Sequence, residues 1–170
     1  ASRFGGLPDD FYADWLRVAA EEAHHFSLVR AHLTRHGMAY GDLPGHDGLW
    51  ALCRRTAADP LVRMALVPRV AEARGLDVNP GLQQKMAAAG DHDAVAILEV
   101  ILRDEIGHVA VGDRWFRWLC DREGLAPEAT FRELLAASHT AVHPPFNRAA
   151  RLAGGFSEAE LDALAAAAAR

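Results

Sequence analysis

Apolar residues recur at every third or fourth position over long stretches of this chain, which is the pattern of amphipathic α-helices. The first stretch predicts a helix over residues 10–36, whose apolar face is formed by Phe11, Trp15, Val18, Phe26, Val29 and Leu33. Pro8 and two aspartates before the stretch favour a helix start, and Gly37 favours an end. Strand-like alternation is nearly absent, so the pattern predicts an all-α fold of long antiparallel helices.

The same periodicity predicts the remaining helices over residues 47–75, 80–89, 91–123 and 127–140. Pro60 and Pro68 fall within the second of these stretches, and each proline removes a backbone donor, so we expect a break or a kink there. A capping box that starts at Ser157 predicts a short C-terminal helix. We therefore divide the chain into a helical domain over residues 1–156 and a C-terminal capping helix over residues 157–170.

A Glu-x-x-His pair interrupts the apolar face of the first helix, within the run EEAHH at residues 21–25. Two registers are open, Glu21 with His24 or Glu22 with His25, and residues three apart share one side of a helix. Steps of three and four from the apolar face lead to Glu22 and His25, whereas Glu21 and His24 continue a polar face. The helical phase therefore favours Glu22 and His25 as inward-facing residues.

A second pair, Glu105 and His108, lies in line with apolar residues of the helix predicted over residues 91–123. Burying an unpaired carboxylate costs several kcal/mol or forces its protonation. Two such pairs in phase with apolar faces therefore indicate that cations compensate the charge, and one metal ion can bind a Glu and a His at this spacing. The alternative is two hydrogen-bonded Glu–His clusters without metal.

Glu72 is the only acid in a line of apolar residues on the second helical stretch, so we predict that it is a further inward-facing metal ligand. A salt bridge with Arg69 or Arg74 is the alternative for this residue.

Three weaker candidates for residues around the metal or facing a substrate are His46, Asp104 and Glu99. A turn position is the stronger explanation for His46, and an ion pair with Arg103 is the stronger explanation for Glu99.

Composition narrows the classes of function. The net charge of -5 makes nucleic acid an unlikely partner. Two cysteines cannot form a disulfide framework, and no apolar run approaches the length of a membrane span, so we expect a cytoplasmic protein without membrane partners. Of the nine histidines, helical phase selects His25 and His108, and we expect His32 and His36 at the solvated end of the first helix.

Several segments resemble one bacterial ferritin-like family of unknown function within the ferritin-like di-iron carboxylate superfamily. They are WLRVAAEEAHHF at residues 15–26, YGDLPGHDGLW at 40–50, EARGLD at 72–77, DEIGHV at 104–109 and PPFN at 144–147. The resemblance extends to about Phe156. A more distant similarity is to the di-iron tRNA hydroxylases of the same superfamily.

This resemblance implies a ferritin-like bundle of four core helices, of which the first, with one inward Glu, is missing from this chain. We therefore expect a truncated chain whose remaining helices leave an apolar groove, filled in a homodimer or by another chain that supplies the missing helix. In the family pattern Glu22 and Glu105 bridge two ions, iron or else manganese or a mixed pair. His25 and His108 each bind one ion, and Glu72 is a terminal ligand.

The implied function is that of an O2-activating oxidase or hydroxylase acting on a small-molecule substrate. The resemblance and the residues leave two alternatives open. One is iron oxidation or storage without an organic substrate, and the other is a non-enzymatic helical scaffold or interaction module.

Overall fold

The computed structural model describes residues 3–169, and the ordered elements within them are all helical. In chain order these are α1 (Asp9–Arg35), α2 (Gly48–Arg55), α3 (Pro60–Leu66), a π-helical segment (Val67–Glu72), α4 (Ala73–Ala88), α5 (His92–Glu123), α6 (Pro127–Ala137), α7 (Arg148–Ala153) and α8 (Glu158–Ala168). The all-α prediction is confirmed for this part of the chain.

The two longest helices, α1 and α5, lie along each other in opposite directions. Near the start of α1, Trp115 Nε1 donates a hydrogen bond to Asp14 at 3.0 Å. Near its end, Nε2 of His32 lies 2.9 Å from Oδ2 of Asp91. As the residue number rises along α1, the residue number of the contacting partner falls, so the two helices are antiparallel.

The continuous helical stretch from α3 through α4 also runs antiparallel to α5. Its first half places Arg69 against Asp113, and its second half places Asn79 Nδ2 3.0 Å from the carbonyl oxygen of Leu98. Since α5 contacts both α1 and this stretch, it is the central helix of the bundle.

The helix predicted over residues 47–75 is divided at Pro60, as the prolines of this stretch led us to expect. The Asp59 carboxylate caps α3 by accepting a hydrogen bond from the Leu61 N–H at 2.8 Å. Pro68 lies inside the π-helical segment, where the backbone N–H of Ala73 bonds to the Pro68 carbonyl five residues earlier. A proline in a helix lacks a donor and crowds the carbonyl four residues before it, and this wider turn accommodates it.

The prediction of a separate helix starting at Pro80 is wrong, because α4 continues through this residue. A proline at position 80 leaves the carbonyl of Leu76 without its helical donor. The side chain of Asn147 supplies the missing donor, since its Nδ2 lies 3.2 Å from that carbonyl oxygen. The contact joins residues 71 positions apart, which local sequence patterns do not register.

The apolar core contains residues of α1 and of α3 to α7, and it includes α8 through Leu161 and Leu164. A charged residue lies within it: the Arg69 side chain is fully buried and contacts the carboxylates of Asp113 and Glu160. Three phenylalanine rings also surround its guanidinium, with centroids 4.4–4.9 Å away, namely Phe116, Phe131 and Phe156. Burial lowers the pKa of Arg69 to about 10, so it remains a cation at neutral pH.

One side of the bundle exposes large apolar side chains. The predicted apolar face of α1 is correct at Phe11 and Val18, which are buried, and wrong at Phe26 and Val29, which are 45% and 50% exposed. Trp50 on α2 is 67% exposed as well. Helical phase identifies which side of a helix is apolar, and the presence of a neighbour decides whether that side is buried. Within residues 3–169, no helix has both the length and the apolar character that crossing a bilayer requires.

Candidate metal centre

The middle of α1 faces the middle of α5, and this contact brings the two Glu-x-x-His pairs together. Ligand atoms of Glu22, His25 and Glu105 lie within 4.8 Å of one another. The rings of His25 and His108 are neighbours, with centroids 5.7 Å apart. The structure thus places four of the five predicted ligands, from two helices, around one point.

Glu22 lies between the two imidazoles. Its Oε1 is 3.1 Å from Nδ1 of His108 and 3.8 Å from Nδ1 of His25. The nearby His108 imidazole holds the pKa of Glu22 below its ordinary value. Burial by itself would lower the pKa of His108, but the carboxylates of Glu105, Glu22 and Glu21 outweigh it and raise that pKa to about 10.

Glu72, the fifth predicted ligand, approaches the same centre from the π-helical segment. Burial raises its pKa to about 7, and the neighbouring Glu105 carboxylate adds to the rise. The alternative salt bridges are not formed, since Arg69 contacts Asp113 and Glu160, and Arg74 lies against Asp77. The Glu72 carboxyl group therefore keeps its proton up to near neutral pH, and it lies beside other acidic side chains instead of pairing with an arginine.

Four buried polar atoms at this centre form no hydrogen bond of good geometry with the described residues, although Nδ1 of His108 lies 3.1 Å from Glu22. They are His25 Nδ1, Glu72 Oε2, Glu105 Oε2 and His108 Nδ1. A buried polar atom without a partner costs about 1–3 kcal/mol. Imidazole nitrogens and carboxylate oxygens together are the donor set that iron, manganese and zinc accept. The residues therefore fit a metal centre, because bound cations would satisfy all four atoms at once.

Two acids hold the outer nitrogens of the histidines. Nε2 of His25 lies 3.1 Å from Oδ2 of Asp104, and Nε2 of His108 lies 2.8 Å from Oε2 of Glu21. A carboxylate on one ring nitrogen fixes the tautomer and leaves the other nitrogen, here Nδ1, free for a metal.

Sequence reasoning missed Glu21, because the phase argument assigned it to a polar face. The expected difference in burial between the two consecutive glutamates is wrong, since the Glu22 side chain is 49% exposed and that of Glu21 is 37% exposed. Glu21 and Glu22 are consecutive residues on α1, and both reach the His108 ring of the facing helix. Glu22 contacts Nδ1 of the ring, and Glu21 contacts Nε2. His24, the other residue of the rejected register, is exposed.

A groove of about 700 Å³ opens beside the carboxylates. Glu22, Glu72 and Glu105 form one part of its wall, and His46 also lines it. The rest of the wall is mostly apolar and includes Leu49, Leu52, Val78, Leu82, Leu98 and Ile101. The position of His46 allows contact with a molecule in the groove.

Glu99 is exposed and lies apart from the centre. Its expected partner, Arg103, instead donates from Nε to Oδ1 of Asp104 at 3.0 Å. Arg103 thereby helps to orient the carboxylate that contacts His25.

Comparison with known proteins gives a family. A family model described as "Protein of unknown function (DUF455)" matches residues 1–162. An uncharacterized protein of Haemophilus influenzae is 50% identical over 153 residues, which are 89% of this chain and 53% of that protein. The chain thus spans about half the length of this relative. No solved structure matches.

Proposed function

This chain belongs to the DUF455 family, and we propose that it is a ferritin-like protein that binds two iron ions. The observation that carries the proposal is the convergence of these four buried atoms, which lack a hydrogen bond of good geometry, from two imidazoles and two carboxylates. Glu22, half exposed between the imidazoles, completes a set of five ligands: Glu22, His25, Glu72, Glu105 and His108.

Two of the proposed ligands release a proton on binding. Glu72, with a pKa of about 7, gives up its proton to bind a cation, and His108, with a pKa of about 10, does the same. Metal affinity therefore rises with pH, because protons compete for the ligand atoms. When bound, a pair of iron ions supplies the capacity to react with O2.

The outer acids are positioning residues in this proposal. Asp104 and Glu21 accept the Nε2 protons of His25 and His108 and keep both Nδ1 lone pairs directed at the centre. Arg103 fixes Asp104 in turn. Loss of an outer acid weakens metal binding about 10–100-fold without removing any ligand.

The groove favours an oxidase or hydroxylase over iron storage. A volume of about 700 Å³ with a mostly apolar wall fits a small organic molecule, and its acidic part belongs to the proposed metal ligands. A substrate in this groove would lie directly beside the centre and within reach of His46. We propose a small apolar substrate for this reason.

The exposed apolar side chains next to the centre suggest a covering helix. Phe26 and Val29 lie four and seven residues after the half-exposed Glu22, so all three share one side of α1. We propose that another segment or a second copy of the chain covers this face, and that its own acid becomes the sixth protein ligand.

Metal analysis tests the proposal. Protein loaded with ferrous iron under anaerobic conditions is expected to retain two ions per chain. Glu105→Ala is expected to lose them, while Glu99→Ala, which removes an exposed glutamate of the same helix, is the matched control and retains them.

Less than one ion per chain in the unaltered protein would contradict the proposal. A scaffold without metal predicts that Glu22→Ala with Glu105→Ala leaves stability unchanged or raises it. Continuous iron turnover with assembly into a cage would favour the storage function over the oxygenase.

A further inference from the structure

A second group of metal-ligating side chains lies at the far end of α1, apart from the centre described above. His32 and His36 are one helical turn apart on α1, and both face Asp91, which directly precedes α5. His32 is seven residues beyond His25, which corresponds to about 10 Å along the helix. The sequence expectation that both histidines are merely solvated is wrong for His32, whose side chain is 18% exposed.

Three ligand atoms converge in this group. Nε2 of His32 is 2.9 Å from Oδ2 of Asp91, Nε2 of His36 is 3.6 Å from the same oxygen, and the two nitrogens are 3.2 Å apart. With zinc bonds of about 2.0–2.1 Å at tetrahedral angles, neighbouring ligand atoms are separated by about 3.3 Å. A point about 2.1 Å from all three atoms lies about 0.9 Å out of their plane, near the roughly 0.7 Å of an ideal tetrahedral site.

Hydrogen bonding alone satisfies this arrangement poorly. Arg35 donates to Nδ1 of His32 at 2.9 Å, so the only ring hydrogen of a neutral His32 is on Nε2. That one hydrogen faces both the Asp91 oxygen and the His36 nitrogen. Two ring nitrogens and a carboxylate oxygen directed at one point are better matched by a cation than by a single shared proton.

The Asp91 carboxylate is held in place for this role. Its other oxygen, Oδ1, caps α5 by accepting a hydrogen bond from the Ala94 N–H at 2.9 Å. The cap fixes the rotamer and directs Oδ2 toward the two imidazoles. A preoriented ligand loses less conformational entropy on binding, which strengthens the site.

We propose that His32, His36 and Asp91 form a second metal site, for a divalent ion of the zinc class, independent of the carboxylate centre. Two imidazoles and one carboxylate suit a four-coordinate ion, and the fourth position opens to solvent because His36 is 54% exposed. A metal on Nε2 of His32 moves the ring hydrogen to Nδ1, so Arg35 must turn away. Its guanidinium already lies 3.5 Å from Asp93, which can receive it.

Competition for Zn²⁺ between the protein and a chromophoric chelator tests the site. The unaltered protein is expected to show a class of zinc sites that His36→Ala and Asp91→Asn weaken about tenfold or more. Asparagine keeps the helix cap, so Asp91→Asn separates ligand loss from loss of structure. His92→Ala, which removes a neighbouring exposed histidine, is the matched control and leaves this class unchanged.

Two further variants separate this site from other zinc-binding sites. Arg35→Met removes a cation and a donor that oppose metal binding, so it is expected to strengthen this class. Glu105→Ala is expected to leave it intact even where iron binding at the carboxylate centre is lost. The proposal is overturned if His36→Ala binds zinc as His92→Ala does, or if the unaltered protein shows no zinc class sensitive to His36.

Discussion

Replacing Gly112 by alanine tests how closely α5 approaches the π-helical segment that carries Glu72. A Cβ atom at this position would lie 2.2 Å from Cβ and 2.3 Å from Cγ of Pro68. Carbon atoms pack at about 3.5–4.0 Å, so the two helices would have to separate locally by about 1.3 Å. The obstacle is a proline ring inside a helix, which cannot rotate away.

The expected magnitude combines two opposing effects. Overpacking a well-packed core costs about 1–3 kcal/mol, whereas replacing glycine by alanine within a helix gains up to about 1 kcal/mol. We expect Gly112→Ala to lower the free energy of unfolding by about 1–2 kcal/mol. The shift should also weaken iron binding, since Glu72 is four residues from Pro68.

Urea denaturation followed by circular dichroism measures the effect. Gly107→Ala is the matched control, because it lies on the same helix with open space around the added Cβ. It is expected to raise the free energy of unfolding by about 0.5–1 kcal/mol. If Gly112→Ala is as stable as Gly107→Ala, the close approach is refuted.

Three more predictions follow from buried polar groups. Arg69→Met removes the fully buried cation between Asp113 and Glu160 and leaves both carboxylates with the part-exposed Arg117 alone, so it should lower stability by up to about 3 kcal/mol in thermal denaturation. Asn147→Ser removes the donor to the Leu76 carbonyl while a serine can still cap α7, so urea denaturation should show a loss of about 1–2 kcal/mol. Burial raises the pKa of Glu72 from 4.5 to about 7, so the folded state retains a proton that the unfolded state has lost. The free energy of unfolding of the metal-free protein should therefore fall as the pH rises from 4.5 to about 7, by at most about 3 kcal/mol. Glu72→Gln should remove this part of the pH dependence.

Each of these predictions can fail clearly. Unchanged stability of Arg69→Met would mean that Arg117 alone compensates both carboxylates. An Asn147→Ser variant as stable as the unaltered protein would show that the proline in α4 needs no external donor. If Glu72→Gln has the same pH profile as the unaltered protein, Glu72 does not keep its proton in the metal-free fold.

The sequence by itself determined the helical class and the central elements of the candidate site. Its three- and four-residue periodicity predicted α1 and α5 to within a few residues. The spacing of Glu105 and His108 placed both on one side of α5 for a geometric reason, since residues three apart on a helix always share a side. These properties depend only on the sequence within one helix, so they hold whatever the helix packs against.

Only the tertiary structure decided what lies opposite each side chain. Glu21 and Glu22 differ by one position along α1, and only the facing His108 ring shows that both contact it. Asn147 permits a helix through a proline by supplying a donor from a distant loop. His32 and His36 acquire a carboxylate partner only because α5 begins beside them. The physical reason is that hydrogen bonds, ion pairs and metal geometry depend on distances between elements, whereas periodicity along a chain determines only the direction in which each side chain points.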